Sequence, residues 1–255
     1  MNEGENILNK VLDFLMKIVF LVCACISIAA VITICLFMFA NGVPAIKEIG
    51  ITKFLFGTQW RVSQNLFGIW PMIVGSIYVT AGAMIIGVPI GLLTAVFLAK
   101  YCPKKLYKFI KPIINLMAGI PSIIYGFFGL VVIVPLVREF GRTMGFHGNG
   151  NSILTASILL GMMILPTIIG LTESSLRAVP EQYYEGAVAL GATHERSIFR
   201  VVIPAAKSGV IAALVLGIGR AIGETMAVIM VAGNQARMPE GIFRGVRTLT
   251  ANIVI

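Results

Sequence analysis

Residues 180–207 read PEQYYEGAVALGATHERSIFRVVIPAAK, a polar helical stretch caught between two long apolar runs. Pro180 suits a first helical position, and Glu181 places negative charge at the positive end of the helix dipole. Gly191 ends that run. Thr193 is placed to cap a second short helix, His194 to Ile203, with Glu195 in its first turn and Pro204 stopping it. Gly186, Ala187, Ala189, Gly191 and Ala192 leave the turn nearly bare of side chains, which opens its backbone to a partner's groove. Such a segment is either an ordinary connection or a surface built to be touched from outside the membrane.

The apolar runs on either side set the class. With 58% hydrophobic and 12% charged residues and a mean hydropathy of +0.94, the chain lies far outside the range of soluble domains and reads as an all-α integral membrane protein. Stretches at 18–40, 71–99, 113–137, 152–172 and 209–233 are each long enough, at about 20 residues, to cross a bilayer. The basic residues behind the net charge of +9 lie between these spans, without a zinc, helix-turn-helix or stacking pattern, so orientation explains them and nucleic acid does not. Lys100, Lys104, Lys105, Lys108 and Lys111 make the 100–112 loop the densest basic cluster, which the positive-inside rule puts in the cytoplasm. By alternation the N-terminus and the 173–208 segment fall inside, and the 41–70 and 138–151 loops outside. The stretch carrying Arg237, Arg244 and Arg247 also falls outside, against the bias without reversing it. Trp60 and Trp70 suit the membrane–water boundary before the second span.

Other features are bland. The first run is too long for a signal peptide and has no small-residue cleavage pattern. Cys23, Cys25, Cys35 and Cys102 have no metal-site spacing and are expected as free thiols. Phe54, Phe56, Trp60 and Phe67 suggest that the outer 41–70 loop lies down against apolar surface. GVPIG at 87–91 and GRAIG at 219–223 carry glycines four apart, which lets helices approach closely in lipid. GIGRAIG mimics a dinucleotide-binding pattern, but the spacing is one residue too long and no strand precedes it; no cofactor is expected.

Arg220 and Glu224 sit inside the fifth span, where each costs roughly 2.5–3.5 kcal/mol at the bilayer centre. Their spacing lets them pair on one helical face, yet such pairs contribute only about 0.2–0.5 kcal/mol in water. The expense points to function, with a structural clasp between helices as the alternative. An anion crossing a membrane needs a compensating cation, and the planar guanidinium of Arg220 suits phosphate, with Glu224 tempering its grip and Thr225 adding a hydroxyl. Ser122 and Thr167 could line the same path or serve as ordinary helix contacts.

The 180–207 stretch resembles the EAA motif of ABC-importer permeases, Glu-Ala-Ala, three residues, Gly, nine residues, Ile, one residue, Leu-Pro. Glu185, Ala187, Gly191 and Pro204 stand at the matching positions, with Gly186, Val201 and Ile203 as substitutions. Gly186 for Ala costs roughly 0.5–1 kcal/mol in a helix and softens the first short helix. GRAIGETMAVIMVAGN at 219–234 resembles the phosphate-importer permeases, its Met-Ala-Val continuation looking like the PstC rather than the PstA type, and AGIPSIIYGFFG at 118–129 and LPTIIGLTESSLRAVP at 165–180 support the same family.

The resemblance covers most of 70–255 and implies a type I ABC-importer transmembrane domain over 71–255, behind an N-terminal helix and outer loop at 1–70. It implies docking of the coupling loop, 173–208, on a cytoplasmic ATPase, with Glu185, Ala187, Gly191 and Pro204 at the contact and Arg220, Glu224 and Thr225 on the substrate path. The implied partners are a PstA-like permease, an ATPase dimer and an extracytoplasmic phosphate-binding protein, in a bacterial inner membrane. The family has six spans, so a sixth is expected to be missing from this stretch. No Walker-type loop occurs, so ATP is expected on a partner and the chain itself is not an enzyme. Rival readings are a permease for another oxyanion, molybdate or sulfate, and a non-ABC channel or secondary transporter. A membrane enzyme is disfavoured because His147 and His194 fall on opposite faces.

Overall fold

The computed structural model describes residues 3–146 and 148–255; His147 lies outside them. The chain divides into two compact units, Met1–Leu55 and Phe56–Ile255. In the first, helix α1 (Glu3–Ile49) outruns the expected 18–40 span: it continues through Gly42 and Pro44 and ends only at Gly50, whose φ is +90°. Its apolar part, Lys10–Ile49, has 40 residues, about 60 Å of helix against a hydrocarbon core of about 30 Å. Its apolar side chains face outward on every side, the pattern of a helix surrounded by lipid or by other protein. Helix α2 (Ile51–Phe56) follows.

The second unit opens with a two-stranded hairpin, β1 (Trp60–Arg61) and β2 (Leu66–Phe67), in which Trp60 meets Phe67 edge-on at 5.6 Å. Helix α3 (Trp70–Val96) then packs along α7 (Ile153–Ala178), and this pair is the centre of the fold. Glycines set their closeness. A Cβ on Gly87 would stand 2.9 Å from Ile164, and one on Gly91 2.8 Å from Ile168, so GVPIG does what its spacing predicts. GRAIG does not: a Cβ on Gly219 or Gly223 would meet nothing within 4 Å, and it is Gly217 that faces Ile168.

Two expected spans are broken. The 113–137 run is not one helix: the amphipathic α4 (Lys104–Gly119) stops at extended Ile120 and Pro121, and a new rod begins at Ser122. That rod comprises α5 (Ser122–Phe128), a wide turn at Gly129–Ile133 and α6 (Val134–Thr143). The residue before a proline is driven out of the helical region, which places the break at Ile120. Likewise the 209–233 run divides into α11 (Lys207–Gly223) and α12 (Met226–Val231), with extended Glu224 between them.

Three turns of π type, at Phe97–Tyr101, Gly129–Ile133 and Ile198–Val202, each end two residues before a proline, at Pro103, Pro135 and Pro204. Before Pro103 the helix has already ended at extended Cys102. At Pro135 and Pro204, which lie inside continuing helix, the ring clashes with the carbonyl four residues back and offers no N–H, and a turn bonded i to i+5 moves that carbonyl aside. This explains why Pro204 does not stop its helix at Ile203: after α8 (Glu181–Ala189) and the turn at Gly191, the chain stays helical through α9 (His194–Ser197), the π turn and α10 (Ile203–Ala205). The His194–Ala205 stretch then meets α11 at 68°.

Among the described residues four helices are long and apolar enough to cross a membrane, five with the bent pair counted. At the end opposite the lysine-rich loop, residues 232–248 fold over the start of α7. The carbonyls of Val231, Arg244 and Ile242 take the free N–H groups of Ser152, Ile153 and Leu154. Thr248 then caps α13 (Leu249–Val254) with its hydroxyl, and the Leu249 N–H donates to Ser76 Oγ on α3 at 2.9 Å.

Candidate functional site

The EAA-like stretch is an outward-facing pair of short helices held down on one side only. Ile198 and Val202 are buried against Val96 and Leu176, while Glu185, Gly186, Gly191 and Pro204 are exposed and Ala187 is half-buried. Pro180 sits one place earlier than expected, with extended ψ at the cap, and Glu181 starts α8. Gly191 adopts φ +84° with open space around its missing Cβ, so backbone conformation rather than crowding requires glycine there. The Thr193 hydroxyl accepts from the Arg196 N–H, as a cap should. Tyr184 and His194 share a 2.8 Å hydrogen bond that ties α8 to α9. Leu190, at the tip of the turn, is 92% exposed. Composition gave no warning of this apolar knob, because its neighbours are small rather than apolar.

The break in the fifth span falls between the two membrane charges and separates their duties. Glu224 Oε1 accepts the N–H groups of Thr225 and Ala227, each at 3.2 Å, and so caps α12. Thr250 Oγ1 donates to the Glu224 carbonyl at 3.0 Å. Arg220 Nη1 donates instead to Thr167 Oγ1 on α7, at 3.1 Å. Among the described residues the ion pairs are Lys100–Glu181, Lys111–Glu173, Glu139–Arg142 and Glu173–Arg177, so the expected Arg220–Glu224 pair does not form. A spacing of four joins side chains only on a continuous helix, and this helix ends at Gly223. The Thr225 hydroxyl turns back to the Gly223 carbonyl. Ala227 and Met230 lean on Gly126 of α5, where a Cβ would stand 2.7 Å from the Met230 sulfur.

A third charged cluster went unforeseen. Glu173, 1% exposed, accepts from Tyr107 Oη at 2.8 Å, Lys111 Nζ at 2.6 Å and Arg177 Nε at 2.9 Å. Arg177 also donates to the Leu98 carbonyl and stacks its guanidinium 4.7 Å from the Tyr107 ring centre. The hydrogen bond to Glu173, followed by burial, holds the Tyr107 hydroxyl above its ordinary pKa. Glu173 and Arg177, acid before base four apart at the end of a span, were the readable signal. In the sequence Lys111 reads only as loop charge. Beside this cluster a cavity of about 360 Å³ is lined by Ala99, Lys100, Arg177, Glu181, Tyr184 and His194.

A bundle of broken apolar helices, with an arginine at one break and a short-helix pair projecting from one end, is the build of a transport permease. The chain belongs to the family described as binding-protein-dependent transport system inner membrane component, whose model matches residues 87–255. It is 38% identical over 237 residues to the probable ABC transporter permease protein YqgH of Bacillus subtilis (strain 168), covering 91% of this chain and 75% of that protein. It is 35% identical over 231 residues to the phosphate transport system permease protein PstC of Mesorhizobium japonicum, covering 85% and 70%. The probable PstC of Methanocaldococcus jannaschii is 32% identical over 267 residues, covering 98% and 84%. The chain is therefore a multi-span ABC-importer permease.

Proposed function

We propose that the chain is one transmembrane subunit of an ATP-driven phosphate importer, working beside a PstA-like permease, a cytoplasmic ATPase dimer and an extracytoplasmic phosphate-binding protein. The observation that carries the anion reading is Arg220: a permanent cation among apolar spans, oriented by one hydroxyl and, among the described residues, without a carboxylate partner. Glu224 is committed to the α12 backbone and leaves that charge available. A part-buried guanidinium without an ion pair among the described residues favours an anion, and its flat fork fits phosphate oxygens. The PstC names of the relatives supply the particular ion. ATP binds on the partner; the exposed turn around Glu185, Leu190 and Gly191 is the surface that receives its motion.

Phosphate uptake by cells lacking their own importer, given this subunit with its partners, tests the reading. Radiolabelled phosphate should accumulate and unlabelled molybdate or sulfate should not compete; competition by either anion at equal concentration refutes phosphate as the substrate. The lysine-rich end should face the cytoplasm. With Cys23, Cys25 and Cys35 replaced, Cys102 should take an impermeant maleimide only in opened cells, and labelling of intact cells inverts the orientation.

A further inference from the structure

Glu173 stands where three elements meet the root of the projecting helices. Helix α7 runs unbroken to Ala178, and α8 starts just beyond it at Glu181, so Glu173 and Arg177 occupy the last turns before that segment. From there Arg177 pins the Leu98 carbonyl inside the π turn that ends α3, while Lys111 and Tyr107 bring in α4. The same π turn reaches α8, because Lys100 Nζ lies 3.9 Å from Glu181 Oε2. Tyr101 packs edge-on to His194 at 5.1 Å. The apolar seat of α4 is slight: Ile114 is its single buried residue. Around it Ile110 and Tyr107 pack with Leu98, Leu165 and Ile169, and the polar node adds directed bonds to this small apolar contact with α7.

A node of this kind is a poor choice for stability alone, since apolar residues of like volume hold a buried contact as well or better than ions do. It is a good choice for geometry, because charge-assisted bonds fix both distance and direction. A π turn in the same node is a place where a helix yields. We propose that Glu173 is a positioning residue that makes α4 and the end of α3 move in step with the α8–α9 pair. The inference rests on the reading that an ATPase drives that pair.

The test uses the assembled complex, with its native cysteines replaced and spin labels at Lys108→Cys on α4 and Ile85→Cys on α3, both exposed positions. The distance between labels is measured with and without a non-hydrolysable ATP analogue. The variant Tyr107→Phe, Lys111→Met, Glu173→Leu replaces the buried carboxylate and its two α4 partners by apolar side chains; of the node's charges only Arg177 remains, and it is solvent-exposed and keeps its bond to the Leu98 carbonyl. Unaltered protein should show a nucleotide-dependent distance change that the variant loses. At equal abundance and ATPase recovery, the variant's ion uptake per ATP should fall about tenfold. A variant that keeps both the shift and the uptake ratio overturns the proposal. Glu173→Gln, which retains an acceptor without the charge, gives the same reading if the triple change lowers abundance. Should the unaltered permease bind no ATPase, the functional reading falls and takes this proposal with it. Should it shift but carry another anion, only the choice of phosphate falls.

Discussion

Glu173, on α7, and Arg220, bonded to α7 from α11, are treated in opposite ways. Glu173 is sealed from solvent and satisfied by three side-chain donors from two helices. Among the described residues Arg220 has one hydroxyl from Thr167 and no carboxylate. A buried carboxylate with its hydrogen bonds completed has nothing left to offer a ligand. A guanidinium with most of its donors uncommitted does. Two charges that look equally costly in sequence thus divide into one that organises the fold and one that remains available for chemistry.

The sharpest way to break this contrast is Arg220→Gln. If the cation serves the ion, uptake should fall about 100-fold, the equivalent of roughly 3 kcal/mol from one charge-assisted contact, with abundance and ATPase recovery unchanged. Adding Glu224→Gln should not restore it, because Glu224 was never its partner. Recovery of uptake in that double variant would restore the structural clasp. Next in size is Leu190→Asp, which puts a charge on the exposed knob of the coupling turn. Binding of the ATPase should weaken by about 2 kcal/mol, the loss of a central apolar anchor, while spectra and abundance stay unchanged. Equal affinity in a detergent binding titration would remove Leu190 from the contact.

The class of protein and the five apolar runs were legible because hydrophobic length is a one-dimensional property. The EAA-like pair was legible because Gly191, Thr193 and the small residues act locally, through φ +84° at the glycine and a hydroxyl cap at the threonine. The breaks were not. Ile120–Pro121 and Glu224–Thr225 lie inside continuous apolar patterns, and Pro89 and Pro166 stay within α3 and α7, so proline alone did not distinguish a stop from a tolerated kink. The Arg220–Glu224 pairing failed for the same reason, since it assumed a helix that ends one residue too soon. The Glu173 node joins positions more than 60 residues apart, and only packing brings them together.

A smaller effect should come from Thr167→Val, which keeps the shape of the side chain and deletes the acceptor for Arg220. One hydrogen bond to a charged group contributes about 1.5 kcal/mol, so uptake should drop about tenfold, well short of Arg220→Gln. The loss should appear in the apparent affinity for phosphate delivered by the binding protein or in the turnover, without loss of the folded complex. A Thr167→Val permease as inactive as Arg220→Gln would mean that the threonine meets the ion itself.

The smallest effect concerns the other member of the supposed pair. If Glu224 caps α12, its oxygen matters and its charge does not, because the acceptor for the Thr225 and Ala227 N–H groups is one Oε1 atom. Glu224→Gln presents the same atom at the same reach and should keep thermal stability close to the starting value. Glu224→Leu leaves the first N–H groups of a six-residue helix without a partner and should cost about 1 kcal/mol, as lost caps do. Ala227 and Met230 pack on Gly126, so fraying at that end should loosen α12 from α5 as well. Melting curves of the purified permease in one detergent would compare the three proteins directly. A Gln variant as unstable as the Leu variant would show that charge is required at this break, and with it a counterion role for Glu224 that the hydrogen bonds do not display.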